Sequence, residues 1–174
     1  IILLSHPTKK GYSNAVIDGI KHATADYLLV MDSDGQCDPK EIFKFWDNRK
    51  KADVINGNRV PREDFLYRRY FSNFAYFIYK LFFNVKLHDP SVAFTLMSKK
   101  VYSALSNFKP QMPDGFFWEF NARALRKGFT SLEVNIVHKK RKYGNTKIFH
   151  FYRLPKIAFI NLKGLINVKF FSKD

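Results

Sequence analysis

The segment DYLLVMDSDGQCDP, residues 26–39, sets Asp32, Asp34 and Asp38 directly behind a run of five apolar residues, Tyr27 to Met31. Two carboxylates two residues apart on a turning backbone can both reach one divalent cation. Hard oxygen donors of this kind select Mg²⁺ or Mn²⁺, which keep coordination positions open for phosphate oxygens. Such a cation can bridge a diphosphate and neutralise the charge that builds on it as a leaving group. Gln36 offers a further oxygen two residues on. The competing use of the same acids is to shape a turn. Asp38, followed by Pro39 and Glu41, reads as a helix cap rather than a ligand.

The elements that must position these residues follow from the hydrophobic pattern. IILL (1–4) and YLLVM (27–31) are short apolar runs without polar alternation, as in strands covered on both faces. Between them, Gly11 frees a turn, Ser13 or Asn14 is a cap, and a helix extends to about Thr24. A second helix runs from Pro39 to about Lys51, and DVINGNR (53–59) is a third strand. Strands alternating with helices predict an α/β fold with a mostly parallel central sheet flanked by helices. Ligands of such sheets bind beyond the carboxyl ends of the strands. Asp32 and Asp34 end one strand there, and Arg59 ends the next.

Residues 64–85 have a helical pattern with ten Phe or Tyr between 65 and 83, and Tyr67, Tyr70, Phe71, Phe74, Phe77, Ile78 and Leu81 form one stripe. VAFTLMS (92–98) is a strand, KKVYSALSNF a short helix and KPQMPDGFF a loop. The helix WEFNARALRK stops at Gly128, FTSLEVNIVH is a strand and KKRKYGNTK a basic loop. The tail, 148–171, is helical with a soft break at Gly164. The simplest division is one domain over 1–147 and a helical appendage over 148–174.

The 174 residues are 46% hydrophobic, enough for one packed core. Thirty basic against fifteen acidic residues give +15, which calls for an anionic partner: nucleic acid, an acidic membrane surface or a phosphorylated substrate. Residues 137–174 hold ten Lys/Arg and one acid, so +9 of that charge lies there. The single cysteine, Cys37, excludes a disulfide framework and a Cys-based zinc site. No apolar run approaches 18 residues and no signal peptide is evident. A chain opening on Ile1 in mid-pattern is expected to be a fragment without its true N-terminus.

GYSNAVIDGIKHATADYLLVMDSDGQCDPKEI resembles the middle of a family 2 glycosyltransferase, in its polyprenyl-phosphate, dolichol-phosphate mannose synthase-like branch. The matching positions are Gly11, Gly19-Ile20, Ala23-Thr24, Asp32, Asp34, Gln36 and Pro39, and the likeness continues to about Lys147. The resemblance implies a GT-A fold lacking its first strand or strands. It also implies a nucleotide-diphosphate sugar donor of GDP-mannose or UDP-glucose type, and Mg²⁺ or Mn²⁺ held by Asp32, Asp34 and Gln36. Arg59 matches the family's G-x-R, whose guanidinium grips a phosphate in a fork that Lys cannot reproduce.

Further along, Arg68 and Ser72, four apart on one helical face, match positions that receive the lipid phosphate, with Arg69 the competing choice of register. Asp89 matches the acid of a D-x-x-S-G-F-R segment, where it orients the acceptor or the metal site in preference to serving as a base, because the acceptor is already anionic. Ala93 and Thr95 depart from that segment's Gly and Arg. Glu119 opens the acceptor-side helix; it positions a sugar hydroxyl or pairs with Arg123 four residues on. RKYGNTK resembles the family's R-x-x-G-x-S-K loop, with Arg141 and Lys147 as charges over the diphosphate, Gly144 as the turn and Thr146 in place of Ser.

The implied reaction is inverting, metal-dependent transfer of a hexose to polyprenyl (dolichyl) phosphate at the cytoplasmic face of a membrane, with another glycan or lipid-linked acceptor as the alternative. In the tail, Phe151, Leu154, Ala158, Leu162 and Leu165 share one helical face, and Arg153, Lys156, Lys163 and Asn167 the other. That division suits an anionic membrane surface or, equally, packing on the chain's own domain. A nucleic-acid-binding module is the different-class alternative suggested by charge and aromatics. The helical spacing of the aromatics and the lack of a nucleic-acid motif speak against it. A non-catalytic membrane-surface domain is a third class, which intact Asp32, Asp34, Arg59 and Lys147 disfavour.

Overall fold

The structure is a computed structural model and describes residues 2–60, 76–84, 87–139 and 154–172. Helix α1 spans Tyr12–His22, strand β1 Tyr27–Met31, a 3-10 turn Pro39–Glu41 and helix α2 Ile42–Asn48. Strand β2 spans Val54–Arg59, and helical residues 76–83 (α3) follow. Then come β3 (Phe94–Ser98), α4 (Lys99–Ala104), α5 (Phe116–Arg126), β4 (Ser131–Ile136) and α6 (Leu154–Phe170).

The described strands form one sheet in the order β1-β3-β2-β4. β3 pairs antiparallel with both β1 and β2, while β2 and β4 pair parallel. Three strands therefore run the same way, as the alternation of elements predicts, with β3 inserted against them. This insertion matters for the site. The end of β3 at which Phe94 faces Met31 lies on the edge where β1 and β2 finish, so the loop ahead of Phe94 reaches that edge too.

Both faces of the sheet are covered. Leu28, Val30, Val54 and Met97 pack with Ile17 and Ile20 of α1, Val101 of α4 and Phe117 and Phe120 of α5. Tyr27, Leu29, Ile55, Phe94, Leu96 and Ile136 pack on the opposite face around Phe45 of α2, whose ring stacks on Phe94 at 4.5 Å. Burying a side chain such as Phe45 completely stabilises the fold by about 1.5–3 kcal/mol. A third cluster joins Tyr79 of α3, Met112, Ala122 of α5, and Leu165 and Val168 of α6.

Several local expectations are corrected. Residues 2–4 are not a strand, and Ile2 and Leu3 are exposed; no described strand lends them an edge, and an isolated extended segment cannot pair its backbone groups. Gly11, at φ 85°, occupies the cap position of α1, so neither Ser13 nor Asn14 caps it. Ser13 is instead buried and donates to the Pro113 carbonyl at 3.0 Å, while Asn14 turns back to the Lys10 carbonyl. Asp38 does cap, accepting from the Lys40 amide at 3.0 Å. α2 ends at Asn48, short of Lys51.

In the described part of the aromatic stripe, Phe77 and Leu81 face outward and Tyr79 is the buried anchor, set edge-on to Trp118 of α5. The apolar residues wrap around this helix, so spacing alone does not choose the packed face. The same holds for α6, which packs through Ile157, Gly164, Leu165 and Val168 and leaves Ala158 and Leu162 exposed. Nor does Gly164 break the helix. It makes room for Met112, whose side chain comes within 2.5 Å of where a Cβ would sit.

Gly57 is the tightest glycine of the sheet, because a Cβ there would meet Ile136 Cδ1 at 2.8 Å and the Phe94 carbonyl oxygen at 3.2 Å. Gly57→Ala is expected to lower unfolding free energy by about 1–3 kcal/mol through overpacking, read from denaturant midpoints. An unchanged midpoint would contradict the close contact between β2, β3 and β4.

Candidate active site

The sheet edge at which β1 and β2 finish gathers the charged residues. The Asp32 amide donates to the Ala93 carbonyl at 3.2 Å, extending the ladder one residue past β1. Beyond it the chain turns: Gly35 has φ 74°, and Asp34 Oδ1 accepts from the Gln36 amide at 3.1 Å. Asp34 thus shapes a turn while its carboxylate stays exposed, as does that of Asp32.

Tyr12, placed edge-on against Phe116, donates its hydroxyl to Asp32 Oδ1 at 3.1 Å. Burial, then the Asp32 charge and hydrogen bond and the Asp34 charge, push the Tyr12 phenol far above its usual range. The Cys37 thiol is pushed up to about 11 by burial and then by Asp34 and Asp32, against a smaller opposing pull from Arg59. The two carboxylates thus add to both shifts, and the Arg59 guanidinium opposes them at Cys37.

Among the described residues no three His, Cys, Asp or Glu side chains gather as a metal set. A cation at Asp32 and Asp34 would take two carboxylates from these residues and leave its other positions to neutral oxygens, water or phosphate. This donor set fits Mg²⁺ or Mn²⁺ and does not fit a closed structural zinc site.

Gln36 lies beside this pair and also makes a second connection. Its carbonyl accepts from the Lys139 amide at 2.8 Å, and its side-chain nitrogen donates to the Lys139 carbonyl at 3.1 Å. An isolated bridge joins Cys37 to His138, and Lys139 Nζ sits 3.5 Å from Asp38. The acid loop is thereby stitched to the chain just past the end of β4 and to the first residue of the basic loop. Arg141, Gly144, Thr146 and Lys147 of that loop lie outside the described residues, as do Arg68, Arg69 and Ser72.

Arg59 and Asp89, expected at a phosphate and at the acceptor, are brought together. Arg59 Nε donates to Asp89 Oδ2 at 2.6 Å, and a terminal nitrogen to Asp89 Oδ1 at 3.0 Å and to Ser91 Oγ at 3.1 Å. Ser91 Oγ donates in turn to Asp89 Oδ1 at 2.8 Å. This bidentate pair is nearly buried on the Asp89 side. Such a fork is the strong form of an ion pair, and it fixes the guanidinium plane.

Glu119 is fully buried. Its Oε1 accepts from two Arg123 nitrogens at 2.8 and 3.0 Å, and its Oε2 from the Gln111 and Met112 amides at 2.7 and 2.9 Å. Of the two roles left open for Glu119, the pair with Arg123 is the one present. Arg123 also covers the Phe108 ring at 4.7 Å and donates to Ser172. Thr95, standing where the family pattern has Arg, is buried and bonded to Asn56 and to the Val92 carbonyl.

Sequence reasoning missed Glu133 and Tyr12. Glu133 accepts from the His88 and Asp89 amides at 2.6 and 2.7 Å. Its signal was available: a lone acid inside the strand SLEVNI. Tyr12 gave no comparable signal, because its link to Asp32 depends on how α1 meets the sheet.

The sequence model of glycosyl transferase family 2 matches residues 1–106, which carry Asp32, Asp34, Arg59 and Asp89. The chain belongs to glycosyl transferase family 2. Similar curated proteins include the undecaprenyl-phosphate 4-deoxy-4-formamido-L-arabinose transferases of three Pseudomonas aeruginosa strains, 24% identical over 144 residues. The match takes in 79% of this chain and 39% of each relative, so the chain spans about two fifths of their length. The α/β sheet of this family 2 chain, with helices on both faces, agrees with the fold expected from the resemblance.

Glu119→Ala would strand Arg123 in the interior. Removing one partner of a buried pair costs about 3–5 kcal/mol, and thermal or denaturant unfolding is expected to register a loss of that size. A change below about 1 kcal/mol, the range of exposed pairs, would contradict the buried pairing.

Proposed function

We propose that this chain is the donor- and acceptor-binding part of an inverting glycosyltransferase that moves a sugar from a nucleotide diphosphate to a polyprenyl phosphate. The observation that carries the reading is the pair of carboxylates Asp32 and Asp34, exposed just past the end of β1 at the edge where β2 finishes on Arg59. The names of the relatives support the acceptor class, since they act on undecaprenyl phosphate. A hexose donor of GDP-mannose or UDP-glucose type and a dolichyl acceptor are the finer expectations.

When bound at Asp32 and Asp34, with Gln36 as a further ligand, Mg²⁺ or Mn²⁺ supplies charge neutralisation on the departing diphosphate. The chain's own part is to hold the pieces in line. Asp32 and Asp34 anchor the donor side, and Arg59, kept in plane by Asp89, presents positive charge beside it. The acceptor phosphate is already an anion, so its oxygen attacks the anomeric carbon without a base. Asp89, buried against Arg59, is suited to orientation and not to proton removal. From the basic loop, Arg141 and Lys147 stabilise the diphosphate as it leaves, with Gly144 and Thr146 shaping the loop. Arg68 and Ser72 receive the lipid phosphate, and Glu119 acts at the acceptor side through the loop it holds.

The acceptor's lipid tail places the site at a membrane, and the outward side of α6 is suited to an anionic cytoplasmic surface. Phe159, Leu162, Ile166 and Phe170 are exposed there, with Lys156, Lys163 and Lys169 exposed alongside them. Phe82 of α3 meets the Phe170 ring at 6.2 Å, and Phe77 and Leu81 of α3 are exposed as well. Apolar rings flanked by lysines match an interfacial helix. No helix among the described residues is long and apolar enough to cross a membrane.

Radiolabelled sugar transfer to polyprenyl phosphate by the complete protein tests the reaction. Chelator or Asp32→Asn is expected to lower the rate at least about 100-fold, the order lost when a main electrostatic stabiliser is removed. Full transfer in excess chelator would reject the metal-dependent scheme, and salt-sensitive DNA binding without transfer would favour the nucleic-acid reading. For the surface, Phe159→Glu with Ile166→Glu is expected to weaken co-flotation with anionic vesicles at least about tenfold, because each apolar residue withdrawn forfeits part of the about 1.5–3 kcal/mol that full burial supplies. Equal flotation would exclude this side of α6.

A further inference from the structure

We propose that Glu133 is a positioning residue of the site, acting through the backbone of His88 and Asp89 to aim the Asp89 carboxylate at Arg59. The inference rests on the transfer reading above. Glu133 stands in the middle of β4, on the same side as Ser131, and its side chain is 9% exposed. Its Oε1 accepts from two successive amides, His88 at 2.6 Å and Asp89 at 2.7 Å, and Oε2 meets His88 Nδ1 at 2.8 Å.

Two consecutive N–H groups converging on one oxygen fix the peptide plane between them, as in the backbone nests that hold anions. The direction in which Asp89 leaves the backbone is then set from below. From α5, Asn121 donates to the Pro90 carbonyl at 3.2 Å and holds the following residue. The loop is thus gripped from β4 and α5 before Asp89 reaches Arg59 of β2. His88 is itself stacked on Tyr76 at 5.9 Å, which limits its ring from the side of α3.

The choice of residue is informative. A carboxylate taken out of water carries a desolvation cost that a neutral polar residue avoids. On neighbouring β2 and on this strand, neutral pairs suffice: Asn56 with Ser131 at 2.9 Å and Asn58 with Asn135 at 3.0 Å. Only at the register position beneath the Asp89 loop, Asn56 opposite Glu133, does β4 carry an acid. A charged acceptor there makes roughly twice as strong a bond to each amide as a neutral one. An error of about 1 Å in placing a group at a reacting centre can cost ~100-fold in rate, so loop placement is a sensitive quantity.

The test is a double-mutant cycle in the complete protein, with kcat and KM for sugar transfer and hydrogen exchange at the Asp89 amide as readouts. E133A is expected to lower kcat about 30–100-fold with donor KM changed less than about threefold, in line with lost placement. E133Q keeps a carbonyl oxygen for both amides and is expected to recover about tenfold of that loss. In a D89N background, E133A is expected to add less than about threefold, because both changes act on one group. Exchange at the Asp89 amide is expected to rise at least about tenfold in E133A.

Full additivity with D89N, or E133Q as poor as E133A, overturns the proposal, as does unaltered kcat in E133A. If the wild-type protein transfers no sugar, the transfer reading fails on its own. The exchange arm then still decides the clamp, and unchanged protection at Asp89 refutes it.

Discussion

The direction of β3 is the constraint on which the site depends. Because β3 runs against β1 and β2 and lies between them, both neighbours finish on the edge where β3 begins. The loop after β1 brings Asp32 and Asp34 there, β2 ends on Arg59, and the loop before β3 delivers Asp89. β4, parallel to β2, ends there as well and passes His138 and Lys139 to the acid loop. With β3 reversed, Asp89 would enter at the opposite edge, several strand residues away from Arg59. One topological choice thus collects charges from four chain segments separated by up to about a hundred residues.

Once collected, the charges must be kept apart or paired. Asp89 is matched to Arg59 in a fork and Glu119 to Arg123, both largely out of water. Asp32 and Asp34 are treated differently, being exposed, and after burial their charges add to the upward push on Tyr12 and Cys37. Burying the Asp89 and Glu119 pairs while keeping Asp32 and Asp34 exposed separates groups that hold the fold from those suited to an incoming cation. The Glu119–Arg123 pair also ties the 111–115 loop and, through Ser172, the end of α6 to α5. The third hydrophobic cluster and the sheet edge are therefore linked through α5.

Much of this was legible from sequence, for identifiable reasons. YLLVM, VINGNR, FTLMS and SLEVNI were readable as strands because each is a short run set between turn or helix signals, although IILL reads the same way and is not a strand. The acid pair was readable because carboxylates behind an apolar strand are uncommon. Three kinds of information were not local. The apolar faces of α3 and α6 could not be chosen, since both helices carry apolar residues on more than one side and the partner surface decides. Gly164 looks like a break in sequence and is a contact with Met112 in space. The Arg59–Asp89 and Glu133–Asp89 links span 30 and 44 residues, and spacing carries no trace of such pairs.

A divalent cation is expected to be drawn to the edge where β1 and β2 finish and not to acids in general. Paramagnetic broadening of backbone amide signals by substoichiometric Mn²⁺ measures this directly. Signals of Asp32, Asp34 and Gln36 are predicted to disappear first and those of Arg59 and Asp89 next. Asp53, which lies ahead of β2 at the far edge and is bonded to Lys100 and Thr130, is predicted to stay sharp. Broadening that reaches Asp53 or Asp18 as early as Asp32 would contradict the account.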